Sequence, residues 1–379
     1  MNDRERLLAI MGGGTPDRIP WIPRLQIWHT AHTRLGTLPE SLRGLSRRQI
    51  EATLGMGDPA RDGRVFAAEQ TGDVEVSQRQ EGPLTVTTCR TPVGTVRSAS
   101  RTSTELEALG IGALEVEHMV KQPGDLAVVE YLVEHTHYRP TYEEYHAYEA
   151  AVGEHGYPMV SAGDCPFHYF LQKLAGYQQA YYLIADCPDE VEHLLTTMEE
   201  VEREYLWPVV AGSPAQLILH GYHFDSTLTP PPYFSRYITP YYRDFADLLH
   251  QHGKTLAMHA DNDSRLILEH IEAAGFDMAE TFTTWPQVHC TLEEARRAWG
   301  NRVIIWGGVP SVMLEPAYSD AAFEDYMRRL FSAIAPGDAF ILGVADNIMP
   351  AAMLSRLQRI GEMVADWGRY PVHGAALAG

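Results

Sequence analysis

From Gln216 to Trp367 the sequence alternates between two hydrophobic periods, and this alternation limits the fold more than any other feature. Short apolar runs read as strands over Gln216–Tyr222, Thr255–His259, Asp277–Glu280, Val303–Trp306 and Ala339–Gly343. Between them, apolar residues recur at three- and four-residue spacing and read as helices over Tyr233–His252, Ser264–Ala274, Leu292–Trp299, Ala321–Ile334 and Ala351–Trp367. Strand and helix repeating in units of roughly thirty residues imply parallel strands, because each helix returns the chain to the end where the previous strand began. Enough such units close on themselves, so the expected fold is α/β, a (β/α)8 TIM barrel.

The rest of the chain decorates that plan. Asp3–Met11 reads as a helix, an N-terminal extension that stops at Gly12-Gly13-Gly14. No Lys-Ser or Lys-Thr follows these glycines, and Pro16-Asp17-Arg18-Ile19-Pro20 is a turn, which argues against a phosphate loop. Residues 74–104 alternate Val, Thr and Arg around Pro92-Val93-Gly94, the pattern of an inserted β-hairpin. One barrel domain over 1–370 is expected, with a flexible small-residue tail at 371–379.

Charge and cysteine usage exclude several roles. A net charge of -20 repels phosphate backbones and anionic lipid, so neither nucleic acid nor membrane is an expected partner. The four cysteines form no CxxC pair and the start has no hydrophobic signal core, which fits a reducing cytoplasm. An oligomer is compatible with the sequence but not specified by it.

In a barrel of this kind, residues just beyond the strand C-termini converge on one mouth. His223 and Asp225, His259 and Asp261, Glu280, and Asp346 with Asn347 all occupy such places, and the turn Gly307-Gly308 ends another strand. His259 offers nitrogen and Asp261, Glu280 and Asp346 offer oxygen, a thiolate-free set suited to zinc and also to Mn²⁺ or Fe²⁺. The same groups could instead bind substrate directly or form a metal-free acid cluster. His223 and Asp225 are candidate catalytic residues, with Asp225 placed to protonate a leaving alkoxide. The competing reading makes them a core histidine and a capping aspartate. Trp28, His168, Tyr222 and Trp306 are candidates for a substrate pocket, against the alternative that such large rings simply fill the core.

The segments Met258-His259-Ala260-Asp261-Asn262, Ala274-Gly275-Phe276-Asp277, Trp306-Gly307-Gly308-Val309-Pro310 and Ile341 to Pro350 resemble the uroporphyrinogen decarboxylase superfamily, which includes corrinoid-linked methyltransferases. Arg4 to Met11 followed by Asp17-Arg18-Ile19-Pro20 resembles its N-terminal signature, and Thr91-Pro92-Val93-Gly94-Thr95-Val96 is similar to the hairpin of the methyltransferase branch. In that branch thiol-activating members hold zinc through His-x-Cys and a later cysteine. Here Asp261 stands at the first cysteine and Asp346 near the second. Replacing thiolates by carboxylates leaves a bound metal more Lewis acidic, which suits an ether oxygen better than a thiol. The resemblance therefore implies an enzyme that moves a methyl group from a small methoxylated substrate to the corrinoid of a separate carrier protein. The other activity it implies is a cofactor-free decarboxylase acting on a small carboxylated substrate, with Asp225 or Asp346 stabilising a protonated intermediate. Porphyrinogen itself is a poor fit, because Pro20 to Trp28 holds one arginine and two tryptophans where the decarboxylases are rich in arginine.

Overall fold

The computed structural model describes residues 1–373. Contacts divide the chain, expected as one domain, into two compact units: Met1–Gly63, His146–Ser161 and Ala215 onward in the first, Arg64–Tyr145 and Ala162–Pro214 in the second.

The second unit holds the expected insertion. Strands β1 (Phe66–Gln70), β2 (Glu75–Glu81), β3 (Leu84–Thr91), β4 (Gly94–Arg101), β5 (Leu114–Glu117) and β6 (Thr136–Pro140) belong to it. β3 and β4 are the hairpin read at 74–104. β2 and β5 extend it to four antiparallel strands, and β1 pairs with β6. Cys89 of β3 and Val96 of β4 pack on Val128 of the helix Pro123–Glu134, burying one side of the hairpin.

The first unit is built on a parallel sheet. Among the described residues its strands are β7 (Met159–Ser161), β8 (Leu217–Tyr222), β9 (Thr255–His259), β10 (Met278–Phe282), β11 (Ile304–Pro310) and β12 (Phe340–Ala345), paired in chain order. β10, β11 and β12 are buried throughout, because helices follow each strand and cover what would otherwise face water. Met159, Leu217, Leu219, Ala257, Met278, Ile304, Trp306 and Ile341 share one core with Leu7 and Ile10 of the helix Asp3–Met11. That helix begins with a capping box between Asn2 and Glu5. Extended chain lies beside both outer strands: Trp21 bridges in parallel to Leu342 of β12, and Gly63 to Val160 of β7. The Gly57 N–H donates to the Trp21 carbonyl at 2.8 Å.

Several boundaries differ from those expected, each for a local reason. The helix expected over Tyr233–His252 carries a π turn at Phe234–Ile238 ahead of Thr239–Gln251, where Pro240 brings no N–H to the ladder. Gly307 and Gly308, expected as a turn, lie inside β11. A Cβ on Gly307 would come within 2.5 Å of the Phe282 carbonyl oxygen, so only glycine lets β10 approach this closely. Of the expected tail at 371–379, Val372 is buried and its N–H donates to Pro336, and residues 374–379 lie outside the described residues.

Two register shifts shape the strand ends. Between β8 and β9 the pairing moves from Leu219↔Ala257 to Tyr222↔His259, with Gly221 at φ 92° absorbing the extra residue. Strict alternation would put His220 and Tyr222 on one face. The shift instead sends His220 against Tyr241, Tyr242 and Phe245, while Tyr222 lies beside His259. Between β10 and β11 the pairing skips Thr281, which sits at φ 53°.

Candidate active site

The C-terminal ends of β8, β9, β10 and β12 bring His223, His259, Asp261, Glu280 and Asp346 around one imidazole, that of His259. Its two nitrogens face different company. On the Nε2 side lie Asp261 Oδ2 at 3.5 Å and Asp346 Oδ1 at 3.4 Å. His223, at φ 60°, holds Asp261 through Nδ1 at 2.7 and 2.8 Å, its ring centred 5.0 Å from that of His259. On the Nδ1 side lie Glu280 Oε2 and Thr281 Oγ1, both at 2.7 Å.

Glu280, expected beside Asp261 as an oxygen ligand, therefore stands at the opposite edge of the ring. Its place in β10, level with His259 in β9, puts it alongside the imidazole rather than beyond it. Arg61 Nη1 donates to Glu280 Oε1 at 2.7 Å and closes that side. Arg24 pairs with Asp346, whose second oxygen accepts from Asn347 Nδ2 at 2.7 Å.

Burial and pairing compete at each group. Burial disfavours the His259 imidazolium, but the Glu280 charge and the hydrogen bonds to Asp261 and Glu280 outweigh it and raise its pKa well above the usual value. Burial would raise the Glu280 pKa, yet Arg61 and His259 hold it far below the carboxylate range. Asp261 behaves likewise: burial opposes its charge, and hydrogen bonds from His223 and His259 win. Burial, with the charge of Arg61, lowers the Arg24 pKa.

A divalent metal fits this donor set. His223, His259 and Asp261 each offer a ligand atom, all within 4.8 Å of one another. A carboxylate on the far nitrogen of a ligating histidine is the arrangement that fixes such a ring for a metal. Asp346 lies on the same side as Asp261 and is the next donor in reach.

Of the remaining candidates, only Tyr222 lies against the His259 ring. Asp225 Oδ1 accepts from the N–H groups of Thr227 and Leu228, the work of a turn residue rather than of an acid. Trp28 is 1% exposed and donates to the Ala352 carbonyl, and Trp306 donates to that of Ile22, so both rings serve packing. Tyr222, 5.9 Å from His259 between ring centroids, keeps its place at the site and shares a hydrogen bond with Ser161. His168 belongs to the second unit, where it joins Asp164 at 2.7 Å and Tyr177 at 3.3 Å.

Sequence reasoning missed Arg61, Thr281 and the role of Arg24. Arg61 follows Asp58-Pro59-Ala60 in a stretch without periodicity, and nothing in its neighbours marks it. Arg24 and Arg61 also line a cavity of about 190 Å³ with Arg47, Glu51 and Asp58. A larger one, about 550 Å³, lies at the opposite strand ends against Lys254, Thr255 and Ile304.

A methyltransferase from Methanosarcina mazei is 13% identical and superposes with a TM-score of 0.51, over 97% of this chain and 99% of its own, which shows a shared fold. A xylose isomerase domain protein from Planctomyces limnophilus reaches a TM-score of only 0.30 at 15% identity, over 60% of this chain and 84% of its own. No curated protein matches the sequence. The family model for uroporphyrinogen decarboxylase (URO-D) matches residues 90–367, more than half of the chain, and the protein therefore belongs to the uroporphyrinogen decarboxylase family.

Proposed function

We propose that this protein is a metal-dependent methyltransferase that takes the methyl group of a small methoxylated substrate and passes it to the corrinoid of a separate carrier protein. The observation that carries this reading is the convergence of His223, His259 and Asp261 within 4.8 Å, with Asp346 on the same side of the His259 ring. A divalent metal held there would act as a Lewis acid on the ether oxygen and ease its departure as an alkoxide. Zinc suits the donors, and Mn²⁺ or Fe²⁺ would accept them too.

The chain's own residues prepare that site. Glu280 accepts a hydrogen bond from Nδ1–H of His259, which leaves Nε2, on the side of the two aspartates, as the nitrogen that would exchange its proton for a metal. Arg61 keeps Glu280 ionised and therefore an acceptor. Tyr222 closes one side of the ring and supplies an aromatic wall. Trp21 beside β12 and Gly63 beside β7 would complete a closed eight-membered barrel, the scaffold on which loops at one end carry the chemistry. No helix among the described residues is long and apolar enough to cross a membrane. A cytoplasmic setting, where a corrinoid carrier would be met, goes with the reading.

One observation favours a second reading. Arg61 lies 3.4 Å from His259 Nδ1 and Arg24 pairs with Asp346 at the other edge of the ring, an arrangement that could hold a substrate carboxylate in a cofactor-free decarboxylase. A single assay separates the two. Methoxylated and carboxylated substrates are mixed with the protein and reduced cob(I)alamin. Methyl-cobalt absorbance appearing only with a methoxylated compound supports methyl transfer. Carbon dioxide released without the corrinoid overturns it.

A further inference from the structure

Thr281 occupies a conformation that its side chain opposes. At φ 53° its backbone lies in the left-handed region, where a β-branched residue is a rare outlier and glycine or asparagine would be at ease. The strain is local to a β-bulge, since the β10 to β11 pairing runs Glu280↔Trp306 and then Phe282↔Gly307, leaving Thr281 unpaired. Gly307 makes the bulge possible, because any Cβ there would strike the Phe282 backbone. The residue is 3% exposed, so contact with solvent does not account for a hydroxyl at this place.

The hydroxyl has two short contacts. It donates to the Glu280 carbonyl oxygen at 2.8 Å, which turns its lone pairs toward His259 Nδ1 at 2.7 Å. The Nδ1 proton then has two acceptors, Glu280 Oε2 and Thr281 Oγ1, on adjacent residues of one strand. Two acceptors at different angles fix the ring about its own axis, which one carboxylate on a rotatable stem does less well.

We propose that Thr281 is a positioning residue, its strained bulge retained because the hydroxyl it delivers locks the orientation of His259 and aims Nε2 at the position a metal would take. This rests on the metal reading above. Strain kept at one residue by the packing around it is a recognised feature of functional positions.

The test compares Thr281→Ser, Thr281→Ala and Thr281→Gly with the wild type, by Co²⁺ titration and by melting of the metal-free proteins. Thr281→Ser keeps the hydroxyl and should bind Co²⁺ within about threefold of the wild type, whereas Thr281→Ala and Thr281→Gly should lose about 10- to 100-fold. Alanine and glycine both lack the hydroxyl, and only alanine keeps the backbone penalty. Thr281→Gly should therefore melt about 1–3 °C above Thr281→Ala while binding no better. Wild-type affinity in Thr281→Ala, or a Thr281→Gly protein no more stable than Thr281→Ala, overturns the inference and leaves the metal site standing. A wild-type protein that takes up no Co²⁺ overturns the metal reading and this inference with it.

Discussion

Glu280 and Glu51 lie in the same unit, 1% and 3% exposed, and ionise in opposite ways. Glu280 meets Arg61 at 2.7 Å and His259 at 2.7 Å, and its pKa falls far below the ordinary value. Glu51 has Arg47 at 3.4 Å, and its Oε2 has no hydrogen-bond partner among the described residues. Burial then dominates, and its pKa is pushed up to about 7. Similar burial thus keeps one carboxyl ionised and lets the other take up a proton near neutral pH, and the difference is the number and closeness of donors. Where a carboxylate must stay charged to hold an imidazole, the fold surrounds it with cations. Around Glu51 the cations stand farther off, Arg47 at 3.4 Å, and do not offset burial.

The contrast breaks hardest at Glu280. In Glu280→Gln, Arg61 loses its partner and His259 its charged acceptor, which should cost about 3–5 kcal/mol of unfolding free energy by urea titration. Metal affinity should fall about 10- to 100-fold in the same variant. A loss below 1 kcal/mol would mean that the pair is no stronger than a surface ion pair. Arg61→Met approaches the same point from the other side. It leaves Glu280 with His259 as its nearest cation, moves it toward the condition of Glu51, and should cost about 2–3 kcal/mol, since Arg61 is less deeply buried than its partner.

The smallest effect has the opposite sign. A carboxyl whose folded pKa exceeds its unfolded value binds more protons when folded, so Glu51 withdraws stability as pH rises from about 4.5 through 7. Glu280, with its folded pKa depressed, contributes stability at neutral pH and loses it as pH falls below about 4.5. Glu51→Gln should therefore gain about 1–3 kcal/mol at pH 8 and almost nothing at pH 4. A gain of equal size at both pH values would show that Glu51 is not titrating.

How far the sequence could be read follows from what each part depends on. The limits of β9 and of the helix Leu292–Trp299 agree with the expected ones because a single hydrophobic period governs each from end to end. The bulges at Gly221 and Thr281 were not legible, because an extra residue in one strand is defined only against its neighbour. That is also why the reading brought Glu280 to His259 but to the wrong edge of the ring. Strand order sets which residues meet, while register sets which atoms do. His223 and Asp225 both follow β8, as their sequence positions implied, but His223 bonds Asp261 while Asp225 turns back to cap its own loop, a difference that the sequence does not mark. Arg61 had no period at all to announce it, and only the folded chain delivers it to Glu280.

Elemental analysis of the purified protein, after exposure to Zn²⁺, Mn²⁺ and Fe²⁺ and removal of the excess, tests the central claim most directly. One metal ion per chain is expected in the wild type and in Asp225→Ala. His259→Ala should hold it about 10²- to 10³-fold more weakly and lose it on desalting. A wild-type protein that turns over its substrate with no metal bound would contradict the claim.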